Sequence, residues 1–434
     1  MLRPTKGKES KAMKKTLSIP YVDDKKTFEI DEANLLGSLL PRVPSGLSRE
    51  QEKEAVKKAL DNPIGTEKLN KLVRSGQRVV LLVDDWTRPT PAYKVIPVVI
   101  QELLDCGVKV EDIKIIIARG THAPLSREQI EKKLGKDTVG RFAVEMHDPD
   151  RGVTYLGESK SGTPVYLNKC FVEADVKIAI GWLVAHPIAG YGGGAKIIVP
   201  GVASRRTINY NHALCEGDHV AIGIADGNPV REDMEDIARM GGLDFIVNVM
   251  LNAKREIVEA VAGDVVAAHR EGIKRNRRFY GIKVGEEADI VVLGANPRDA
   301  TIYHGSFALP CALPLVKSGG TIIWVAPCLS GPGAHEAREN FRRRLAIPPD
   351  EMMASIKKGH IPASGGVFDW CNAKVVHRNR VVLVSDMINQ QEAEEFGFHY
   401  GESIQKVLHE ELWVNREAKV RVIPVGGLAV PIYG

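Results

Sequence analysis

The chain has 434 residues, of which 44% are hydrophobic and 26% charged, with a formal net charge of +4. This length exceeds what one hydrophobic core usually organises, and the composition is that of a folded protein, so two domains are expected and disordered or collagen-like chains are excluded. Lys and Arg (59) are nearly matched by Asp and Glu (55), which argues against a nucleic-acid footprint, and no apolar run approaches about 18 residues, which argues against a membrane helix.

The first 15 residues are basic and polar, and no apolar stretch follows them, so no secretory signal is expected; Met13 reads as the true start, with the preceding residues a disordered tail. From there short β-branched runs alternate with stretches of helical period. The runs 78–85 (RVVLLVDD), 112–120 (DIKIIIARG), 175–183 (DVKIAIGWL) and 244–252 (DFIVNVMLN) predict strands. With helical segments between them, this pattern predicts a parallel sheet covered by helices. SRRTINYNHAL predicts a helix capped by Ser204, and GNPVREDM (227–234) a turn and helix start. A basic stretch from 269 to 288 reads as a linker. Beyond it the alternation restarts at 288–297, 321–328 and 374–387. The expected class is therefore α/β in two domains, 1–272 and 273–434, each a mostly parallel sheet flanked by helices. The active site is expected in the interdomain cleft, and the C-terminal run AKVRVIPVGG could return to the first domain. The six cysteines show no CxxC pair, as expected of reduced thiols in a cytoplasmic protein.

In open α/β sheets ligands bind beyond the carboxyl ends of the strands. Three polar clusters follow three predicted strands: DDWTRPTP (84–91), GTHAP (120–124) and GWLVAHP (181–187). All three should share one rim. His122 and His186 then become candidates for a pair of general acid/bases, because imidazole titrates near neutral pH. Asp85 and Arg88 would add a charge-assisted anchor for a phosphate or carboxylate. Gly192, Gly193 and Gly194 allow close backbone approach and could form an amide nest for a phosphate, or simply a sharp turn. The loop ends in Ala195-Lys196-Ile197, not in the GK[ST] of a nucleoside triphosphate loop, and its match to the dinucleotide glycine pattern is weak. Lys196, followed by apolar IIVP, reads either as an activated amine and covalent attachment point or as a lysine reaching out from a loop. His212 has no second histidine or cysteine at zinc-finger spacing. It could donate one ligand to a metal held otherwise by a cofactor.

Taken together, DDWTRPTP, GTH, HPIAGYGGGAKIIVPG and the spacing of His186, Lys196 and His212 resemble the nickel-dependent lactate racemase family. The resemblance spans residues 84 to about 234 and is weaker beyond. It implies an isomerase that interconverts stereoisomers at C2 of a small 2-hydroxy acid. The implied cofactor is a nickel-pincer nucleotide, the pyridinium-3-thioamide-5-thiocarboxylic acid mononucleotide, joined covalently to Lys196. His212 would complete the nickel coordination, and Asp85, Thr87, Arg88, the three glycines and Trp370 would contact the nucleotide. His122 and His186 match the two acid/base positions, with Arg88 on the substrate carboxylate. Cofactor-biosynthesis enzymes are implied as partners. Where the family resemblance leads one to expect a glutamine and then a lysine in the second domain, this chain has His304 and Phe307. The carboxylate clamp is therefore expected to be rebuilt, with His304 and Ser306 as substrate contacts, Phe307 favouring a larger or more apolar substrate, and lactate itself disfavoured. A sugar-acid epimerase with the same cofactor, and a homologue that binds a nucleotide without turnover, are the alternatives.

Overall fold

Runs of Val, Ile and Leu build two six-stranded sheets, and in the computed structural model, which describes residues 13–42, 44–217, 219–333 and 335–433, each sheet organises its own unit. The larger unit takes residues 41–283, 344–374 and 428–434. Its strands are β1 (Val79–Asp84), β2 (Ile113–Ala118), β3 (Ala143–Met146), β4 (Val176–Trp182), β5 (Phe245–Leu251) and β6 (Ile257–Gly263), in the order β6-β5-β4-β1-β2-β3. All neighbours are parallel except β5 and β6. β1, β4 and β5 are buried at every residue, the condition under which a parallel strand reads as a continuous apolar run.

Local signals explain the helices on this sheet. α1 (Ala92–Asp105) buries Ala92, Val95, Ile96, Val99 and Leu103, an apolar stripe at helical spacing. α2 (Arg127–Leu134) starts at a reciprocal capping box between Ser126 and Gln129. α3 (Arg205–Ala213) is capped by Ser204, as the sequence predicts, and α4 (Pro229–Met240) by Asn228 with proline in its first turn. α5 (Ala267–Tyr280) and α6 (Ala363–Arg378) complete the set used below. Pairing of Val83 with Ile180 and of Asp84 with Ala118 sets the carboxyl ends of β4, β1 and β2 side by side. The three clusters therefore leave one rim.

The second unit takes residues up to 40, 284–343 and 375–427. Its strands β7 (Ala288–Gly294), β8 (Val316–Val325), β9 (Arg380–Val384), β10 (His399–Tyr400) and β11 (Val420–Ile423) lie in the order β10-β9-β8-β7-β11, with Leu35–Ser38 added beside β11, all parallel. The antiparallel pair Lys14–Tyr21 and Asp24–Asp31 sets Ile19, Phe28 and Ile30 against Ile290, Val292, Val420 and Val422.

The α/β class with mostly parallel sheets is as expected, but several details differ. A single cut at 272/273 does not describe the chain, because the apolar face of the first hairpin packs on the second sheet. The stretch read as a linker is mostly α5, whose basic exterior hides Ala268, His269, Gly272, Ile273, Asn276 and Tyr280 as a buried stripe. In 374–387 the residues up to Arg378 finish α6, and the strand starts only at Arg380. AKVRVIPVGG supplies β11 of the second sheet, whereas Val430–Ile432 pairs with Gly281–Lys283 of the first unit. Residues 1–12, read as a tail, lie outside the described residues. All six cysteines are free, and burial pushes the thiols of Cys311 and Cys328 up to about 12. No described helix is long and apolar enough to cross a membrane.

Candidate active site

Beyond β1 the chain turns on Asp85. Its Oδ1 accepts the Thr87 N–H at 2.6 Å, and its Oδ2 lies 2.6 Å from Nδ1 of His122, delivered by the loop after β2. The Asp85 side chain is 4% exposed and that of His122 40%. Burial alone would raise the Asp85 carboxyl, but His122, followed by Arg88 and Thr87, holds it well below the usual carboxylate range. An ionised carboxylate at this distance keeps the imidazole proton on Nδ1, so neutral His122 carries its lone pair on Nε2. Thr87 Oγ1 lies 3.3 Å from the same Nδ1 and accepts from Arg88 Nη1 at 3.1 Å. Arg119 donates to the His122 carbonyl.

Asp84, the last residue of β1, is the group that sequence reading passed over. Thr90 Oγ1 donates to its Oδ2 at 2.5 Å, and Lys133 Nζ of α2 stands 2.7 Å from its Oδ1. Burial pushes the Asp84 carboxyl up against the opposing pull of Lys133. Lys133 also donates to the Arg88 carbonyl at 2.8 Å. One buried ammonium thus ties the strand end to the loop that carries Arg88. In the sequence it is one lysine among many in a Glu- and Lys-rich segment, with nothing local to mark it.

The glycine loop is braced from behind. A two-residue pairing of Ala185–His186 with Gly190–Tyr191 leads into a short 3₁₀ turn, Gly194–Ile197, that carries Lys196. Arg231 of α4, fully buried, donates to the carbonyls of Ala189 and Gly193 at 3.2 Å each and to that of Tyr191. His269 Nε2 of α5 donates to the Gly192 carbonyl at 2.9 Å. Two of the three glycine amides expected in a nest are engaged within the protein. The Gly192 N–H is spent on the Val184 carbonyl and the Gly194 N–H on Asn248 Oδ1. A Cβ at Gly193 would lie 2.7 Å from Asn248 Oδ1, and one at Gly194, with φ +56°, 2.7 Å from His269 Cδ2. The glycines let the loop press onto its own protein; Gly193 backbone and Lys196 still line the pocket. Arg231, His269 and Asn248 were missed because their buried contacts are long-range, although an arginine on the buried face of an amphipathic helix is a signal in itself.

Asp85, Arg88, His122, Trp182, Gly193 and Lys196 line one pocket of about 60 Å³ at the rim. A wider groove of about 670 Å³, between the helix Arg49–Asp61 and α1, holds none of the predicted residues. His186 is 7% exposed, is not among the described residues lining the rim pocket, and accepts at Nδ1 from the N–H groups of Ile188 (3.2 Å) and Ala189 (3.3 Å). His212, on α3, is buried with Nδ1 3.1 Å from Asn211 Oδ1. The Asn211 amide nitrogen is committed to the Val230 carbonyl and to Asp233, so its oxygen faces the ring and takes the Nδ1 proton. Burial, with the Lys196 charge second, lowers His212 to about 3. It is therefore a neutral imidazole with its lone pair on Nε2 in the electrostatic field of Lys196, the donor state a soft or borderline metal requires. Among the described residues no group of three or more His, Cys, Asp or Glu is placed to hold a metal.

Trp370, on α6 in the same unit, lies under Lys374 Nζ at 3.6 Å from the ring centroid. In the second unit His304 Nδ1 sits 2.8 Å from Thr301 Oγ1. Ser306 is fully buried and donates its hydroxyl to the Tyr303 carbonyl at 2.9 Å. Phe307 is also buried, with the Arg298 guanidinium 4.6 Å above its ring. An arginine therefore covers the aromatic ring expected to meet substrate.

Two family models match the chain, the lactate racemase N-terminal domain over residues 21–223 and the lactate racemase C-terminal domain over 284–432. The lactate racemase of Lactiplantibacillus plantarum is 30% identical over 422 residues, covering 94% of this chain and 98% of its own; that of Thermoanaerobacterium thermosaccharolyticum is 29% identical, covering 94% and 97%. The structure of the latter's apoprotein superposes with a TM-score of 0.85 at 28% identity, covering 96% of this chain and all of that one. A Thermotoga maritima protein, 18% identical with a TM-score of 0.67 over 90% of this chain and all of its own, shares the fold.

Proposed function

We infer the reaction from one premise: this chain belongs to the lactate racemase family. It is a racemase or epimerase that inverts C2 of a small 2-hydroxy acid. Removing the α-hydrogen as a proton would leave a strongly basic carbanion, so transfer as hydride is the easier route. The observation that carries this reading is the convergence of the Asp85-backed His122 and Lys196 on one rim pocket, with a buried neutral His212 that feels the Lys196 charge.

The residues fit a tethered nickel-pincer nucleotide: Lys196 as the attachment point, His212 as the nickel ligand through Nε2, and Thr87, Asp85 and Arg88 at the nucleotide and substrate end. When bound, that group would supply the hydride acceptor. The chain's own residues do the rest. His122, with Asp85 behind it, takes the hydroxyl proton at Nε2 and stabilises the resulting imidazolium. Arg88 neutralises the substrate carboxylate. The substrate is a 2-hydroxy acid other than lactate, since His304 and Phe307 replace the glutamine and lysine that the family resemblance leads one to expect, and the cation nearby, Arg298, is stacked on the Phe307 ring. With Ser306 spent on Tyr303, the sugar-acid reading loses one of its two hydrogen-bond partners.

The test is intact mass and peptide mapping of protein made alongside cofactor-biosynthesis enzymes, with Lys196→Ala beside wild type, followed by α-hydrogen exchange on a panel of 2-hydroxy acids. An adduct on the Lys196 peptide, absent in the variant, together with exchange, supports the reading. A loaded protein that exchanges no substrate would instead be a non-catalytic binding homologue.

A further inference from the structure

Arg119 leaves the end of β2 and lines the same pocket as Arg88, His122 and Lys196. Its Nη1 donates to the His122 carbonyl. Its Nε–H is shut away from water without an acceptor, and among the described residues no carboxylate pairs with the guanidinium. Asp150 feels the charge, but Arg205 bonds both oxygens of that carboxylate, at 2.9 and 2.7 Å, and chiefly holds it below its ordinary value. A buried donor left without an acceptor destabilises a fold, more so on a charged group, so native proteins keep few of them without a use.

The surrounding chain fixes Arg119 in place. It is followed by Gly120, with φ +53°, whose N–H bonds the Gly201 carbonyl at 2.9 Å. A Cβ at Gly120 would lie 3.1 Å from Pro200, and one at Gly201 2.9 Å from Ala118 Cβ. The end of β2 is therefore pressed onto the turn that follows Lys196, and Pro200 and Gly201 line the pocket beside Arg119. Three cations, Arg88, Arg119 and Lys196, face two carboxylates there, Asp84 and Asp85. Lys133 already answers Asp84 at 2.7 Å, and His122 stands 2.6 Å from Asp85. The pocket carries surplus positive charge, and its volume of about 60 Å³ suits a group the size of one oxyanion. A guanidinium fork matches carboxylate and phosphate alike.

From this arrangement we propose that Arg119 forms a second oxyanion subsite of the rim pocket, in addition to Arg88, in which a carboxylate or phosphate oxygen accepts its Nε–H. The inference rests on the racemase reading only for the source of that oxyanion: a second carboxylate on the 2-hydroxy acid, or the phosphate of the nucleotide joined to Lys196. No bond is made or broken at Arg119, which binds and orients.

The subsite is tested first in cofactor-free protein, by the rate at which phenylglyoxal modifies Arg119, read by peptide mapping. Inorganic phosphate should slow that modification saturably, beyond chloride at matched ionic strength. Protection no greater than with chloride, or confined to the Arg88 peptide, overturns the proposal. Arg119→Gln should weaken phosphate binding at least about tenfold, and Arg119→Lys less; should neither variant fold, protection in the wild type still decides. In loaded protein the same peptide identifies the source. Protection before any substrate is added, with lower occupancy of Lys196 in Arg119→Gln, assigns the nucleotide phosphate; protection that appears with malate but not with lactate assigns a second substrate carboxylate. Loaded protein whose Arg119 stays reactive throughout overturns the proposal. Failure of Lys196 to take up the cofactor defeats the functional reading instead, and the phosphate result in cofactor-free protein then decides the subsite by itself.

Discussion

Asp85→Asn is the substitution that asks most of the proposed site. The carboxylate is 4% exposed and makes two short contacts in fixed directions, Oδ1 to the Thr87 N–H and Oδ2 to His122 Nδ1, both 2.6 Å. In the variant the amide oxygen stays on the Thr87 N–H, since that bond needs an acceptor. The NH₂ then faces His122 and forces Nδ1 to accept. The proton moves to Nε2, and the base is lost while the shape is kept. The hydrogen bond to an ionised group is worth about 1.5–3 kcal/mol, which alone corresponds to roughly 10- to 150-fold in rate. Adding the wrong tautomer brings the expected loss of turnover to about 10²–10⁴-fold, with little change in substrate KM. Stability responds too, with a definite sign. The folded carboxyl lies below its ordinary value, so its contribution is present above about pH 4 and fades as pH falls further; the variant should lose that acid-side dependence. The assay is α-hydrogen exchange of loaded protein, with unfolding followed across the acid range. Turnover within about threefold of wild type, in protein shown to carry cofactor, would refute the reasoning.

Other substitutions probe the scaffold. Lys133→Met strips the partner from buried Asp84 and should cost about 3–5 kcal/mol in denaturant unfolding, most of it recovered when Asp84→Asn is added; no recovery would mean the lysine acts through the Arg88 carbonyl alone. Arg231→Leu abandons three buried carbonyls of the 186–197 segment. It should cost about 3 kcal/mol or more, with faster hydrogen exchange in that segment and lower occupancy of Lys196 by cofactor. Gly194→Ala drives a Cβ to 2.7 Å from His269 at positive φ and should cost about 1–3 kcal/mol. Gly140→Ala, in a short helix with open space at its Cβ, should be neutral or slightly stabilising by thermal melting. His212→Ala should fold as wild type yet purify without nickel, as metal analysis would show; full nickel content would remove His212 from the ligand role.

Much of this protein is legible along the chain because the physics involved is local. Runs such as VVLLVD are apolar because central parallel strands are covered on both faces. Ser204 and Asn228 mark their helices because a cap satisfies amides only a few residues away. The three polar clusters could be placed on a common rim because parallel strands all point their carboxyl ends the same way. Where the sequence misled, the deciding contacts span long distances in the chain. The 269–288 segment is basic on its outside, yet its inward stripe belongs to a packed helix. Glycines that suggested a ligand cradle are small because Asn248 and His269 stand behind them, 54 and 77 residues away in their hydrogen bonds to the loop. The sequence by itself therefore determined which elements form and which residue types gather at the strand ends. Only the tertiary structure decided that Nδ1 of His122 meets the Asp85 carboxylate, because the two lie on different strand-end loops that folding alone brings within hydrogen-bond distance.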